Sequence, residues 1–234
     1  MAEHLSDEEQ LESFKRWWKE NGIFTIVAIV FVAGGYFGWD FWKDHQKEQA
    51  EAASSLYQKM MVAADVEPGK YPSSQQQAII VASAESLKAE HGDSQYARYA
   101  ALLLAKLAVE KNDLDAAAEQ LKWAAENADE GLSLITTLRL ARVEAARGNL
   151  DLAISMLNKE TDLQSFSSAY ADAKGDFYLM KGDTAAAYES YQLALENMTV
   201  ADERLRPILE LKLNQVAPES RLAEERQEAS EEGA

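Results

Sequence analysis

Leu107–Leu121 reads LAVEKNDLDAAAEQL, Val143–Leu157 reads VEAARGNLDLAISML, and Phe177–Tyr191 reads FYLMKGDTAAAYESY. The three stretches superimpose without a gap. Asn112, Gly148 and Gly182 fall in register, 36 and 34 residues apart, and are followed by Asp113, Asn149 and Asp183. Gly and Asn tolerate the left-handed backbone that ends a helix abruptly. Asp and Asn cap the free N–H groups of the helix that starts next. Five positions after each turn residue stands Ala117, Ala153 or Ala187, and nine after it Leu121, Leu157 or Tyr191. Seven before it stands Ala105, Ala141 or Gly175. Small residues suit a close helix crossing, and large ones fill the space beside it. The pattern predicts three helical hairpins of one design.

The surrounding sequence agrees. After Trp42, Leu, Ala, Glu, Lys and Gln dominate, all strong helix formers. No stretch keeps the period of two that a strand needs. The expected fold class is all-α. Helix pairs recurring every ~34 residues resemble the tetratricopeptide family, with repeats at about 98–131, 134–167 and 168–201. The match is degenerate. The family's first-helix Trp is Ala101, Thr137 and Ala171 here, and its closing Pro is Asp129, Ser165 and Thr199. Its Tyr appears only as Tyr178, and its late Ala as Ala124 and Ala194 but not at Glu160.

Asn21–Trp39, NGIFTIVAIVFVAGGYFGW, carries no charge in a chain that is 27% charged with a net charge of −17. A helix needs roughly 20 apolar residues to cross a bilayer. Trp17 and Trp18 precede the run, and Trp39 and Trp42 close it, about 31 Å apart from Trp18 to Trp39 at the helical rise. Aromatic side chains favour both membrane interfaces. A buried core helix would show polar residues at helical spacing, and Thr25 is the one candidate. A cleaved signal at Ala33-Gly34-Gly35 would need a short basic leader, whereas Glu3, Asp7, Glu8, Glu9, Glu12 and Glu20 precede the run. The reading is an uncleaved anchor over 21–42, carried by Gly22, Ile26, Ile29, Phe31, Gly34, Gly38 and Trp39. Gly34 and Gly38 form a GxxxG pair of the kind that brings membrane helices close. Lys15, Arg16 and Lys19 before the span outnumber Lys43 and Lys47 after it, which favours a cytoplasmic N-terminus.

The remaining segments read as an acidic tail over 1–20, a linker helix and atypical capping hairpin over 43–97, a capping helix over 202–216, and a disordered acidic tail over 217–234. Leu56, Tyr57, Met60 and Met61 are expected on the apolar face of the linker helix. VEPGKYPSS breaks the chain, and Ser74 with Gln77 offers a capping box for a helix to about Glu90. Pro207 starts or kinks the last helix.

No catalytic constellation is expected. His4, His45 and His91 are far apart, and the chain has no cysteine, so thiol chemistry and thiolate metal sites are excluded. No phosphate-binding loop or GxSxG is present, and the acidic balance argues against nucleic acid. The expectation is a non-enzyme with no cofactor. Asn197-Met-Thr199 has the form of a glycosylation sequon.

Repeats of the tetratricopeptide kind present a groove lined by their first helices. In that frame it holds Tyr99, Leu102, Lys106, Ile135, Leu138, Arg142, Ala169, Asp172, Asp176 and Leu179, a mixture that suits a protein partner. The whole arrangement resembles the YfgM family of ancillary SecYEG translocon subunits. KRWWKENG (15–22), GWDFWKDHQ (38–46) and the hairpin LRLARVEAARGNLDLAISML (138–157) carry the resemblance, which covers about residues 7–216. It implies a single-pass bacterial inner-membrane protein with a periplasmic repeat domain, associated with the SecYEG translocon and a PpiD-like periplasmic chaperone, and assisting newly exported chains. The alternative is an envelope-stress signalling regulator acting through its cytoplasmic tail. The resemblance brings no catalytic residues with it.

Overall fold

The computed structural model describes residues 7–218 of the chain. The described residues are helices and turns, with no strand. The helices are α1 (Asp7–Ala64), α2 (Ser74–Glu90), α3 (Gln95–Glu110), α4 (Leu114–Glu126), α5 (Glu130–Ala146), α6 (Leu150–Lys159), α7 (Ser167–Lys181), α8 (Thr184–Glu196) and α9 (Arg206–Gln215). Residues 1–6 and most of the acidic C-terminal stretch, from 219 on, lie outside the described residues, so the expectation of disorder there has no structural counterpart.

The chain divides into two units, Met1–Ser54 and a second from Ser55 onward. In the first, the expected tail and anchor are one uninterrupted helix, since residues 7–20 already belong to α1. α1 holds the one stretch among the described residues long and apolar enough to cross a membrane. Its most apolar window has a mean hydropathy of 1.9 and is only 6% buried, which removes the core-helix reading. Ile23, Phe24 and Phe31 are all strongly exposed.

In the second unit, α3–α4, α5–α6 and α7–α8 pack as three successive hairpins, with α2 against α3 and α9 against α8. Asn112, Gly148 and Gly182 all have positive φ, at 58°, 88° and 82°. The same two hydrogen bonds close each turn. The N–H groups of Asn112, Gly148 and Gly182 donate to the carbonyls of Val109, Ala145 and Leu179 at 2.9, 3.0 and 2.9 Å. Those of Asp113, Asn149 and Asp183 donate to Ala108, Glu144 and Tyr178 at 2.8, 2.9 and 2.9 Å. This paired pattern satisfies carbonyls that a helix end otherwise leaves free. Asp113 and Asp183 then cap α4 and α8, accepting from the Ala116 and Ala186 N–H groups at 3.0 Å.

Ala117, Ala153 and Ala187 are completely buried, and Leu121, Leu157 and Tyr191 lie beside them. Where the second helix carries Leu121 or Leu157, the first carries Ala105 or Ala141. Where it carries the larger Tyr191, the first carries Gly175, whose missing Cβ would overlap the Tyr191 ring. Volume is thus conserved across the crossing, as a close-packed interior requires.

Three expectations need correction. Asn149 makes no side-chain cap on α6; its amide donates instead to the buried carboxylate of Glu144 at 2.7 Å. The α2 capping box sits one residue earlier, on Ser73 and Gln76, because the run SSQQQ offers it in two registers and the Gln77 amide bonds the Pro72 carbonyl instead. Met60 is buried but Met61 is exposed, a third of a turn away on the helix. Pro207 starts α9 rather than kinking it. The positions where the tetratricopeptide pattern has Pro are partly helix caps here: Asp129 accepts from the Leu132 N–H at 3.0 Å, and Thr199 forms a capping box with Asp202.

Candidate partner groove

α3 and α5 are the first helices of the first two hairpins. Leu102, Lys106 and Val109 lie at i, i+4 and i+7 on α3, so they share one face. Arg139, Arg142 and Val143, at i, i+3 and i+4, share one face of α5. Together they line a cavity of about 500 Å³. Leu102, Leu103 and Val143 are among its apolar lining, and Leu121 contributes from α4. The lining is mostly apolar, with Lys106, Arg139, Arg142 and Glu110 as its charged members.

Among the charged members, Lys106 is exposed and its Nζ lies 3.7 Å from the Glu110 carboxylate. Arg139 and Arg142 make no ion pair among the described residues. The sequence frame therefore placed Leu102, Lys106 and Arg142 in one cavity. It missed Arg139, and the signal was available: Arg139 precedes Arg142 by three positions on the same helical face.

The other expected groove residues lie elsewhere. Leu138 is buried in the cluster that joins α5 to α6 and α7, with Tyr170 and Phe177. Ala169 is packed against the same cluster. Ile135 is half-buried. Tyr99 is partly exposed, and its ring lies 6.3 Å from that of Tyr57 near the end of α1. Asp172 and Asp176 are taken by α9: Lys212 donates to Asp172 at 2.7 Å and to Asp176 at 2.8 Å. The Tyr191 hydroxyl donates to Asp176 at 2.8 Å, and the Lys212 ammonium stands 5.5 Å from the centre of the Tyr191 ring. Leu179 is packed where α8 and α9 meet. The α3–α5 section is the open part of the expected groove.

A network centred on one buried carboxylate ties the first two hairpins together. Glu144 on α5 is only 1% exposed, and accepts from Arg147 at 2.9 Å and Asn149 at 2.7 Å. Lys122 on α4 comes within 3.4 Å of it, and Arg147 reaches back to Asp115 on α4. Burial by itself pushes the Glu144 carboxyl pKa up, but the Asn149 hydrogen bond and the charges of Arg147 and Lys122 outweigh it and hold it below its ordinary value. Between the second and third hairpins the Tyr170 hydroxyl donates to the Leu134 carbonyl at 2.7 Å, and its burial pushes its pKa up to about 12.

In the apolar stretch of α1, the Gly22 backbone is covered by the Trp18 indole, whereas no side chain beyond the immediate neighbours stands within 4 Å of where a Cβ on Gly34 or Gly38 would point. Ile26, Ile29, Phe31 and Trp39 are exposed around the same helix. Among the described residues no three His, Asp or Glu side chains converge as a metal site.

A tetratricopeptide repeat-like domain profile matches residues 15–218, which takes in both the apolar stretch of α1 and the hairpins. A protein of Aggregatibacter actinomycetemcomitans named ancillary SecYEG translocon subunit is 35% identical over 92% of this chain and 99% of its own. Its namesake in Haemophilus influenzae is likewise 35% identical over 92% of this chain and 99% of its own. That of Escherichia coli is 32% identical over 93% of this chain and all of its own length. The chain belongs to the ancillary SecYEG translocon subunit family. Membership accounts for the all-α, tetratricopeptide-like fold and for an apolar N-terminal helix on the same chain, since the matches run through both units. One apolar N-terminal helix on a member of a translocon-subunit family fits a single-pass inner-membrane protein.

Proposed function

We propose that this chain is a membrane-anchored helical-repeat scaffold that associates with the Sec translocon and a PpiD-like periplasmic chaperone, and assists the trafficking or folding of newly exported proteins. The observation that carries this reading is the shared name of relatives matched along nearly the whole chain, anchor and repeats alike. In this reading residues 1–20 are cytoplasmic, 21–42 span the inner membrane, 43–97 link and cap, 98–201 are the periplasmic repeats and 202–216 close them. The excess of Lys and Arg before the span supports that orientation. The scaffold role without catalysis rests on the same family and on a cavity lined by apolar and cationic groups. The anchor meets the translocon through its open Gly34–Gly38 face, and the cavity at Leu102, Lys106 and Arg142 holds the periplasmic partner.

The test is photo-crosslinking in intact membranes. A crosslinker at Gly34 is expected to capture a translocon subunit, and one at Lys106 or Arg142 a periplasmic chaperone. Capture of neither would overturn the reading. Capture of a cytoplasmic regulator by a crosslinker within residues 9–14, with none from the groove, would favour the signalling alternative.

A further inference from the structure

We infer that the α3–α5 cavity recognises a short acidic segment of a partner, one apolar side chain flanked by carboxylates; this rests on the scaffold reading and names the chemistry its groove takes. The first argument is charge. Residues 55–218 hold 24 Asp and Glu against 16 Lys and Arg, so cations clustered at one apolar cavity run against the background of the domain. Lys106, Arg139 and Arg142 stand there with one carboxylate, Glu110, which faces Lys106. Arg139 and Arg142 have no acidic partner among the described residues. Guanidinium groups beside an apolar surface are suited to carboxylates, which they can bind through two parallel hydrogen bonds.

The second argument is shape. A cavity of about 500 Å³ lined by Leu102, Leu121 and Val143 takes an apolar side chain, not an ionic one. The third is extent. At the third hairpin the first helix instead carries the carboxylates Asp172 and Asp176, already engaged by Lys212 of α9, so the section that attracts an acidic segment is limited to α3–α5. A short segment therefore suffices, and a basic one is rejected.

The experiment uses the full chain in nanodiscs and fluorescein-labelled seven-residue peptides. The probe is Gly-Gly-Glu-Leu-Glu-Glu-Gly, compared with versions carrying Gln or Lys at the three Glu positions. Fluorescence anisotropy is expected to show the Glu peptide binding about tenfold or more tighter than the Gln peptide, with no binding of the Lys peptide. Raising salt from about 0.05 M to 0.5 M is expected to weaken the Glu peptide severalfold. R139E/R142E should abolish binding, while R139K/R142K retains part of it; both groups are exposed, and an unchanged circular-dichroism melt confirms the fold. Equal binding of the Glu and Gln peptides, or binding that survives R139E/R142E, would overturn the inference. So would a Glu peptide that does not bind while the same arginines prove necessary for binding phosphatidylglycerol vesicles. Crosslinks from Lys106 to a periplasmic chaperone that persist when the Glu peptide fails would leave the scaffold standing and sink only the acidic specificity.

Discussion

The ring of Tyr191 occupies the space that a Cβ on Gly175 would need. In the first two hairpins the equivalent pairs are Ala105 with Leu121 and Ala141 with Leu157, all buried. The third hairpin has exchanged a methyl group on one helix for a larger ring on the other. Gly175→Ala therefore forces the ring or the helix to shift, and is expected to destabilise by about 1–3 kcal/mol despite the better helix propensity of Ala. The double variant G175A/Y191L should recover part of that loss by restoring the pairing of the other hairpins. The recovery is incomplete, because Tyr191 also donates to Asp176. Chemical denaturation of the four proteins of this cycle measures the coupling; additive losses would mean the two sites do not share the space.

Glu144 supplies a pH-dependent part of the stability. Its folded carboxyl titrates below its ordinary value because Asn149, Arg147 and Lys122 favour the charged form over the opposing effect of burial. A lowered folded pKa means that this contribution is complete above about pH 4.5 and is lost as pH falls through the folded value. Glu144→Gln leaves Arg147 facing an amide and breaks charge-assisted hydrogen bonds, at a cost of roughly 1–3 kcal/mol near neutral pH. The gap between wild type and variant should narrow on acidification from about pH 5 to pH 3. A gap that stays constant across that range would show that the carboxylate charge is not what holds the network.

Much of this fold was legible in the sequence. The turns at Asn112, Gly148 and Gly182 depend on backbone conformations that few residue types adopt, and the buried Ala and Leu positions follow from helical periodicity. What escaped was interaction over long separations. Lys212 meets Asp172 and Asp176 from 40 and 36 residues away, and Tyr57 meets Tyr99 from a different helix; nothing local marks either pair. Asn149 illustrates a second limit. Its position predicts a cap, but a buried carboxylate one turn earlier competes for its amide, and a buried charge left unsatisfied costs more than an uncapped, solvated helix end. The groove shows both limits together: the frame led to Leu138, which packs inward, and passed over its neighbour Arg139.

The hairpin frame itself can be challenged at Ala153, which is fully buried against the α5 side of the second crossing. Ala153→Glu would place an unpaired charge there, and is expected to cost roughly 3 kcal/mol or more. Thermal denaturation followed by circular dichroism should show a clearly lower midpoint. A change at exposed Leu152 to Glu, one position earlier, should be tolerated much better. Equal effects at the two positions would refute the assigned register.

Lys212 fastens α9 over the third hairpin. Burial works against its charge, but hydrogen bonds to Asp172 and Asp176 outweigh that and raise its pKa above 10.5. A raised folded pKa means its contribution is fully present below pH 10.5 and is lost as pH rises through the folded value. Lys212→Met removes the cation and leaves Asp172 and Asp176 facing each other without it. Amide exchange within Arg206–Gln215 should then accelerate by about tenfold or more while α3–α6 keep their protection, a local opening rather than global unfolding. Unchanged exchange in α9 would mean that Leu209, Leu213 and Val216 hold the helix without help.

The division of labour between groove and unfolded chains gives the last prediction. A general holdase covers many exposed apolar segments at once, which needs extended apolar surface. Here the α3–α5 cavity of about 500 Å³ sits among carboxylates that outnumber cations, and long-range attraction to a random exported chain is weak and salt-screened. The full chain in nanodiscs is therefore expected to suppress aggregation of a denatured model protein poorly, even at several-fold molar excess, while still binding a periplasmic partner domain measurably. Arg142→Glu should weaken the partner binding and leave the aggregation assay unchanged. Potent suppression of aggregation at equimolar protein, together with partner binding indifferent to Arg142→Glu, would replace the scaffold reading by a direct chaperone acting through surfaces other than this groove.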